Sequence, residues 1–232
     1  METQNRKSYV IPIAIIIAGL IIGGAFFVTS DNGKGAINSV SKGAEVMENV
    51  SISEDDDPVL GNPLATITFI NFGDFRCQFC AQFQKEIKPL IIEKYVKTGK
   101  VKYVYRDFIT MGNNSILVAG GANCAGEQGK YWDFADYLHN SGGGHDMTYT
   151  QESLLKIALS LGLEGNSFKE CLSAGRYVEE VKKDTEDAIA AGADGTPTVF
   201  INGRMISGVN SIEVYESVIE EELLSGKNDT KI

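Results

Sequence analysis

Residues 65–80, ATITFINFGDFRCQFC, begin as one kind of structure and end as another. Ala65–Phe72 mixes β-branched and aromatic residues in the way a buried strand requires. Gly73-Asp74-Phe75-Arg76 then interrupts the pattern, and Cys80, Phe83, Ile87 and Ile91 recur at near-helical spacing. This predicts a helix from about Cys77 to Val96, kinked or shortened at Pro89, which lacks an amide proton. Cys77 and Cys80 thus share the first turn of a helix that starts at the end of a strand, close enough to bridge.

Outward from this unit, Val101–Asp107 (VKYVYRD) alternates like a second strand. From about 112 to 192 the pattern is helical. Leu154, Leu155, Ala158 and Leu161 mark a helix capped by Thr150, and Ser167 with Glu170 has capping-box spacing for a short one. Val178, Val181, Thr185, Ala188 and Ile189 mark a longer helix. Thr196–Ile201 reads as a strand with Pro197 near its start, and Asn202-Gly203 as a hairpin turn into Arg204–Ser207. Asn210 or Ser211 caps a last helix with its core face at Val214, Tyr215, Val218, Ile219 and Leu223. The order is that of an α/β core interrupted by an all-helical insertion.

Composition limits the function. There are 21 Lys+Arg against 31 Asp+Glu, a net charge of −10, with 43% hydrophobic and 22% charged residues. That is ordinary globular usage, and the acidic balance argues against nucleic acid as a partner. Ser8–Ser30 holds no charged residue, Arg6 and Lys7 precede it and Asp31 follows. About 20 such residues cross a ~30 Å hydrocarbon core, so residues 1–30 are expected to be a cytoplasmic stub and a transmembrane helix. A cleaved signal peptide is the alternative, leaving a secreted or periplasmic protein; both readings put the remainder outside the cytoplasm. Residues 31–62 are expected to be a flexible acidic linker, with Glu54-Asp55-Asp56-Asp57-Pro58 as a solvated spacer, followed by a domain over 63–232.

The cysteine pair carries the chemistry. At a helix start, unpaired backbone N–H groups and the helix dipole favour an anion, so Cys77 is expected to ionise below the free value of about 8.5. Cys80, one turn inside, is shielded and able to attack a mixed disulfide at Cys77. Such a pair performs two-electron thiol–disulfide exchange. A zinc site would need a second ligand pair. Cys124 and Cys171 lie 47 positions apart and His139 and His145 form no such pair, so no metal is expected. Both histidines read as surface or loop residues, and Trp132, with Tyr131 and Phe134, as core of the insertion.

From about residue 63 to 226 the chain resembles the DsbA-like thiol–disulfide oxidoreductases, a thioredoxin fold with a helical insertion. Four segments carry the resemblance: 71–80 (NFGDFRCQFC), 106–108 (RDF), 124–132 (CAGEQGKYW) and 195–203 (GTPTVFING). It implies Cys77 as nucleophile and Cys80 as resolving thiol, with no cofactor beyond the disulfide they form. It also implies that Thr196-Pro197 is a cis peptide beside that disulfide, where backbone pairs with an extended substrate peptide. Family members with a pair at Cys124 and Cys171 suggest a second, structural disulfide, two buried free thiols being the alternative.

Two departures bear on activity. The active-site dipeptide is Gln78-Phe79, without the proline and histidine of the strongest oxidants, which predicts a milder one. Asn71 stands six positions before Cys77, where thioredoxin-like proteins often carry a proton-accepting acid. Asp74 is the nearest substitute, though helix capping is its simpler role.

The reading is an extracytoplasmic dithiol oxidase acting on unfolded or reduced exported proteins and served by a membrane redox partner. The alternatives are a disulfide reductase or isomerase on the same fold, and a non-enzymatic adaptor or metallochaperone.

Overall fold

Seven residues, Ile67–Gly73, all buried except the half-buried Thr68, form the central strand of a computed structural model that describes residues 46–47, 50–141 and 147–228. The segment 1–30 and His145 lie outside the described residues, and no helix among those described is long and apolar enough to cross a membrane. In chain order the elements begin with β1 (Val46–Met47), β2 (Val59–Leu60), β3 (Ile67–Gly73), α1 (Gln78–Glu86) and α2 (Lys88–Ile91). A π-helical turn (Ile92–Val96) leads to β4 (Val101–Asp107), α3 (Asn113–Gly126), α4 (Tyr131–Asn140) and α5 (Gln151–Ser160). Then come α6 (Gly165–Ala174), α7 (Val178–Ala190), β5 (Thr198–Ile201), β6 (Arg204–Ser207) and α8 (Ile212–Asn228). The expected helix over 77–96 breaks at Ile87, two residues before Pro89, as a missing amide proton requires.

The sheet order is β1-β6-β5-β3-β4-β2, with β3 and β4 parallel and every other pair antiparallel. Phe69 lies opposite both Tyr103 and Ile201, and Ile70 opposite both Val104 and Phe200. Because successive side chains of a strand alternate in direction, two cores result. Ile67, Phe69, Tyr103, Tyr105, Val199 and Ile201 pack with α1, α8 and the helical insertion α3–α7. Ile70, Phe72, Val104, Phe108 and Phe200 form the second core with Ala188 of α7. This is a thioredoxin-like α/β fold with a helical insertion between β4 and β5.

The expected linker needs correction at Val46–Met47, which pair with β6, and from residue 50 onward. Val50 donates its N–H to Gly203 O at 3.0 Å, Val50, Ile52 and Val59 cover the second core, and β2 pairs with β4. The acidic run is not a solvated spacer, because Arg106 lies fully buried on the face it covers. Asp57 approaches Arg106 Nε at 2.7 Å, and Asp184 and Asp187 of α7 pair with the same guanidinium, Asp187 at 2.8 Å. A buried guanidinium needs acids around it, and the acidic run supplies Asp57 and, at 3.7 Å, Asp55.

Three local expectations change as well. Ser167 does not cap α6; the Glu164 carboxylate does, accepting from the amides of Asn166 and Ser167. His139 is buried rather than exposed, with its ring 4.9 Å from Phe75 and 5.8 Å from Tyr105. Burial, and then the charges of Lys88 and Lys85, depress its pKa to about 3, so the imidazole is neutral. Trp132 is half-buried at the seam of insertion and sheet, 5.8 Å from Tyr103 and beneath the Lys88 ammonium.

Cys124 of α3 and Cys171 of α6 are joined by a disulfide, Cα to Cα 5.9 Å, across a sequence separation of 47. Closing a loop of that length restricts the unfolded chain, so the double variant Cys124→Ala/Cys171→Ala is expected to lose about 2–4 kcal/mol of stability. Urea denaturation of both proteins measures it. The alkylation profile of Cys77 should be unmoved.

Candidate active site

The site is built where β3 ends. Cys77 is the N-cap residue of α1, with extended backbone and no side chain capping the helix. The free amides of the first turn therefore point toward its sulfur, where they stabilise negative charge. Cys77 is 2% exposed, at the mouth, whereas Cys80 is fully enclosed one turn deeper. Both are free thiols here.

Their environments push them in opposite directions. The Cys77 pKa falls from 9.0 to about 6, chiefly through the hydrogen bond from the Cys80 thiol, aided by Thr196 and by the amides of Cys80 and Phe79, against an opposing burial effect. Burial, and then the neighbouring Cys77, raises Cys80 well above 9.0. One sulfur is thus held as a thiolate at neutral pH and the other as its donor.

Thr196-Pro197 closes the other side and is cis. The Thr196 carbonyl lies 3.5 Å from Cys77 Sγ, and its hydroxyl lies 3.2 Å from that of Thr110. Pro197 is buried and Thr196 half-buried. Gln78 and Phe79 of the dipeptide face solvent, Phe79 at 54% exposure, and Met147 adds a second apolar side chain at 40%. The Met147 carbonyl accepts from Arg76 Nε at 3.0 Å, which ties the loop before α5 to the active-site turn.

Asp74 does not cap α1. Its Oδ1 accepts the amide of Arg76, and Oδ2 accepts those of Thr110 and Met111, all at 2.9 Å. It therefore pins the loop after β4 against the cysteine turn. Its own amide reaches Cys80 Sγ at 3.5 Å. Asn71 is buried below, donating to the Tyr103 hydroxyl at 2.9 Å, and Gln84 donates to the same oxygen at 3.2 Å. Asp55, Asp184 and Asp187 bring carboxylate oxygens within 4.8 Å of one another, as a metal site would, but Arg106 and Lys183 already supply the positive charge there.

A family model described as thioredoxin matches residues 53–221. The chain belongs to the thioredoxin family. Among its relatives, the probable disulfide bond formation protein D of Bacillus anthracis is 28% identical over 231 residues, 96% of this chain and 99% of that one. Na(+)/H(+) antiporter NhaA 3 of Salinispora tropica is 28% identical over 180 residues, 77% of this chain; this thioredoxin-family chain spans 26% of the antiporter's length. The crystal structure of oxidised BdbD from Bacillus subtilis superposes with a TM-score of 0.65 at 26% identity, covering 74% of this chain and 95% of the other. The helical insertion and this superposition put the chain among the DsbA-like thiol–disulfide oxidoreductases of the thioredoxin family.

The site brings together Cys77, Cys80, Thr196, Pro197, Gln78 and Phe79, while Cys124 and Cys171 lie in the insertion. Sequence reading missed Tyr105 and His139. The stripe Tyr131, Phe134, Ala135, Leu138 continues at helical spacing through position 139, and that signal places the histidine on the buried face of α4.

The thiolate assignment has a direct test. In the reduced protein, the iodoacetamide reaction of Cys77 is expected to rise with pH through a midpoint near 6 and to level off above about 7. A midpoint near 9 would remove it. A depressed pKa also stabilises the reduced fold: that gain is complete above 9, declines as the pH falls, and is absent below about 6.

Proposed function

We propose that this chain is an extracytoplasmic dithiol oxidase that donates a Cys77–Cys80 disulfide to reduced exported proteins. The observation that carries the reading is the asymmetry of the two sulfurs, one pulled down to a pKa of about 6 and the other driven up. A stabilised thiolate stabilises the reduced form, and stabilising the reduced form makes the disulfide a better oxidant. It is also the better leaving group when the client's second thiolate attacks the mixed disulfide.

In the cycle, a client thiolate attacks Cys77 Sγ and the Cys77–Cys80 bond breaks. A second client thiolate then attacks the client sulfur of the mixed disulfide, and Cys77 leaves as a thiolate. The client loses two electrons and the cysteine pair gains them. An extended client backbone pairs with the chain at Thr196, next to the attacked sulfur. Phe79 and Met147 offer apolar contacts that suit unfolded segments. The relative named as a probable disulfide bond formation protein D, aligned over nearly the whole of this chain, supports the same direction.

The uncharged run 8–30 is read as a membrane anchor with the catalytic domain outside, and a membrane redox partner is the source of reoxidation. A catalytic amount of oxidised protein should accelerate oxidative refolding of a reduced, unfolded protein, and no acceleration would remove the oxidase reading. In intact cells, a maleimide that does not cross membranes should label Cys77; protection until lysis would overturn the extracytoplasmic location.

A further inference from the structure

Cys80 is the sulfur with the harder task, and position 71, six before Cys77, holds an amide rather than an acid. When a client thiolate attacks Cys77, a bond from the client to Cys77 forms as the Cys77–Cys80 bond breaks. Cys80 then departs with the electron pair into a fully enclosed position. Asn71, at the place where an acid would serve, is engaged with Tyr103, whose hydroxyl also accepts from Gln84. A second tyrosine is differently placed. The Tyr105 side chain is 1% exposed and its hydroxyl has no hydrogen-bond partner in the reduced protein.

A buried unpaired hydroxyl is costly, and phenylalanine would fill the same space without the penalty. The location of this one is informative. It lies against Gly73, where a Cβ would stand 2.7 Å from the oxygen and 3.0 Å from Cε2, so glycine is what admits it. The next residue, Asp74, donates its amide to Cys80 Sγ at 3.5 Å. Hydroxyl and sulfur therefore meet adjacent residues of one backbone segment, Gly73 and Asp74.

We propose that the Tyr105 hydroxyl donates a hydrogen bond to the Cys80 sulfur as it leaves as a thiolate, taking the place of the missing acid. This rests on reading Cys77–Cys80 as the redox pair. Tyr105 acts as a donor and stays neutral: burial, and then the nearby Cys80, raises its pKa well above 10.0. The proton that finally neutralises Cys80 comes from water. The other titratable groups around it are Cys77 of α1, Asp74 of the loop, Tyr103 and Asp107 of β4, and Tyr131 and the neutral His139 of α4.

The test is the attack of reduced glutathione on the oxidised full-length protein, followed by acid quench and mass measurement. Tyr105→Phe is expected to slow this step by about tenfold, the value of one hydrogen bond to a charged group. The glutathione equilibrium at pH 7 should be unchanged, because Cys80 is a thiol once the reaction is over, and the Cys77 midpoint should stay near 6. A packing role would instead move the denaturation midpoint and leave the rate alone. 3-Fluorotyrosine at position 105, of nearly the same size and a stronger donor, should hold the rate at or above that of the unmodified protein. An unchanged rate in Tyr105→Phe, or a slowed one with fluorotyrosine, overturns the assignment. If the unmodified protein reacts with glutathione yet fails to oxidise an unfolded protein, the oxidase reading falls and the role of Tyr105 is still measured.

Discussion

Arg106→Met is expected to lose about 3–5 kcal/mol of stability, a large part of the 5–15 kcal/mol that holds a typical domain folded. The side chain is fully buried, Nε lies 2.7 Å from Asp57, Nη2 pairs with Asp184 and Asp187, and Nη1 donates to the Ser53 carbonyl at 3.2 Å. Methionine fills much of the volume but leaves the enclosed Asp184 without a cation, while the more exposed Asp187 keeps Lys183 at 3.2 Å. The measurement is the urea midpoint, which at about 2 kcal/mol per M should fall by about 2 M. A drop of under about 0.5 M would show that the acids find water or share protons at little cost.

Arg106→Lys should recover only part, since a single ammonium does not reproduce the planar fork that reaches Asp57, Asp184 and Asp187 at once. The pH dependence has a definite sign. Burial, and then the adjacent Asp184, pushes the Asp57 pKa up to about 10, so the folded protein holds a proton there that the unfolded chain releases near 3.8. The stability linked to that proton is complete below 3.8 and is lost as the pH rises toward 10. Asp57 keeps that proton at both pH 5 and pH 8. Arg106→Met should do less damage at pH 5 through Asp184, whose pKa burial raises and which takes up a proton more readily once the guanidinium is gone.

The second large effect separates the two active-site sulfurs. Cys77→Ser is expected to reduce catalysed refolding to the uncatalysed rate, because the remaining Cys80 is fully enclosed and holds its proton. Cys80→Ala should behave differently: Cys77 still exchanges, but nothing resolves the mixed disulfide. Cys77-linked adducts with glutathione or client protein should accumulate on non-reducing gels. The alanine variant also removes the largest contribution to the low Cys77 pKa, so the alkylation midpoint should move upward from about 6. Cys80→Ser, whose hydroxyl still donates, should keep it closer to 6. Equal midpoints in the two variants would mean that the helix amides alone hold the thiolate.

The redox turn was legible because its signals are local. Two cysteines three apart, an apolar strand before them and a helical stripe behind are read within 30 residues of chain, and Asn202-Gly203 marks its hairpin in two. The acidic run Glu54–Asp57 misled because the sequence around it holds nothing to pair with; its partner, Arg106, belongs to a strand about fifty residues on. Asp74 misled for a related reason: at a helix start it reads as a cap, yet its acceptors serve a loop that follows the next strand.

Composition, periodicity and motif spacing by themselves determined the order of elements, the helical insertion and the place of the cysteine pair at a helix start, since each depends on contacts between near neighbours in the chain. Which acids surround Arg106, why His139 is neutral, and that the hydroxyl of Tyr105 lies against Gly73 were decided only when the sheet brought β3, β4 and the insertion together. Burial and electrostatics depend on distance in space, and the chain encodes that distance only through the whole fold.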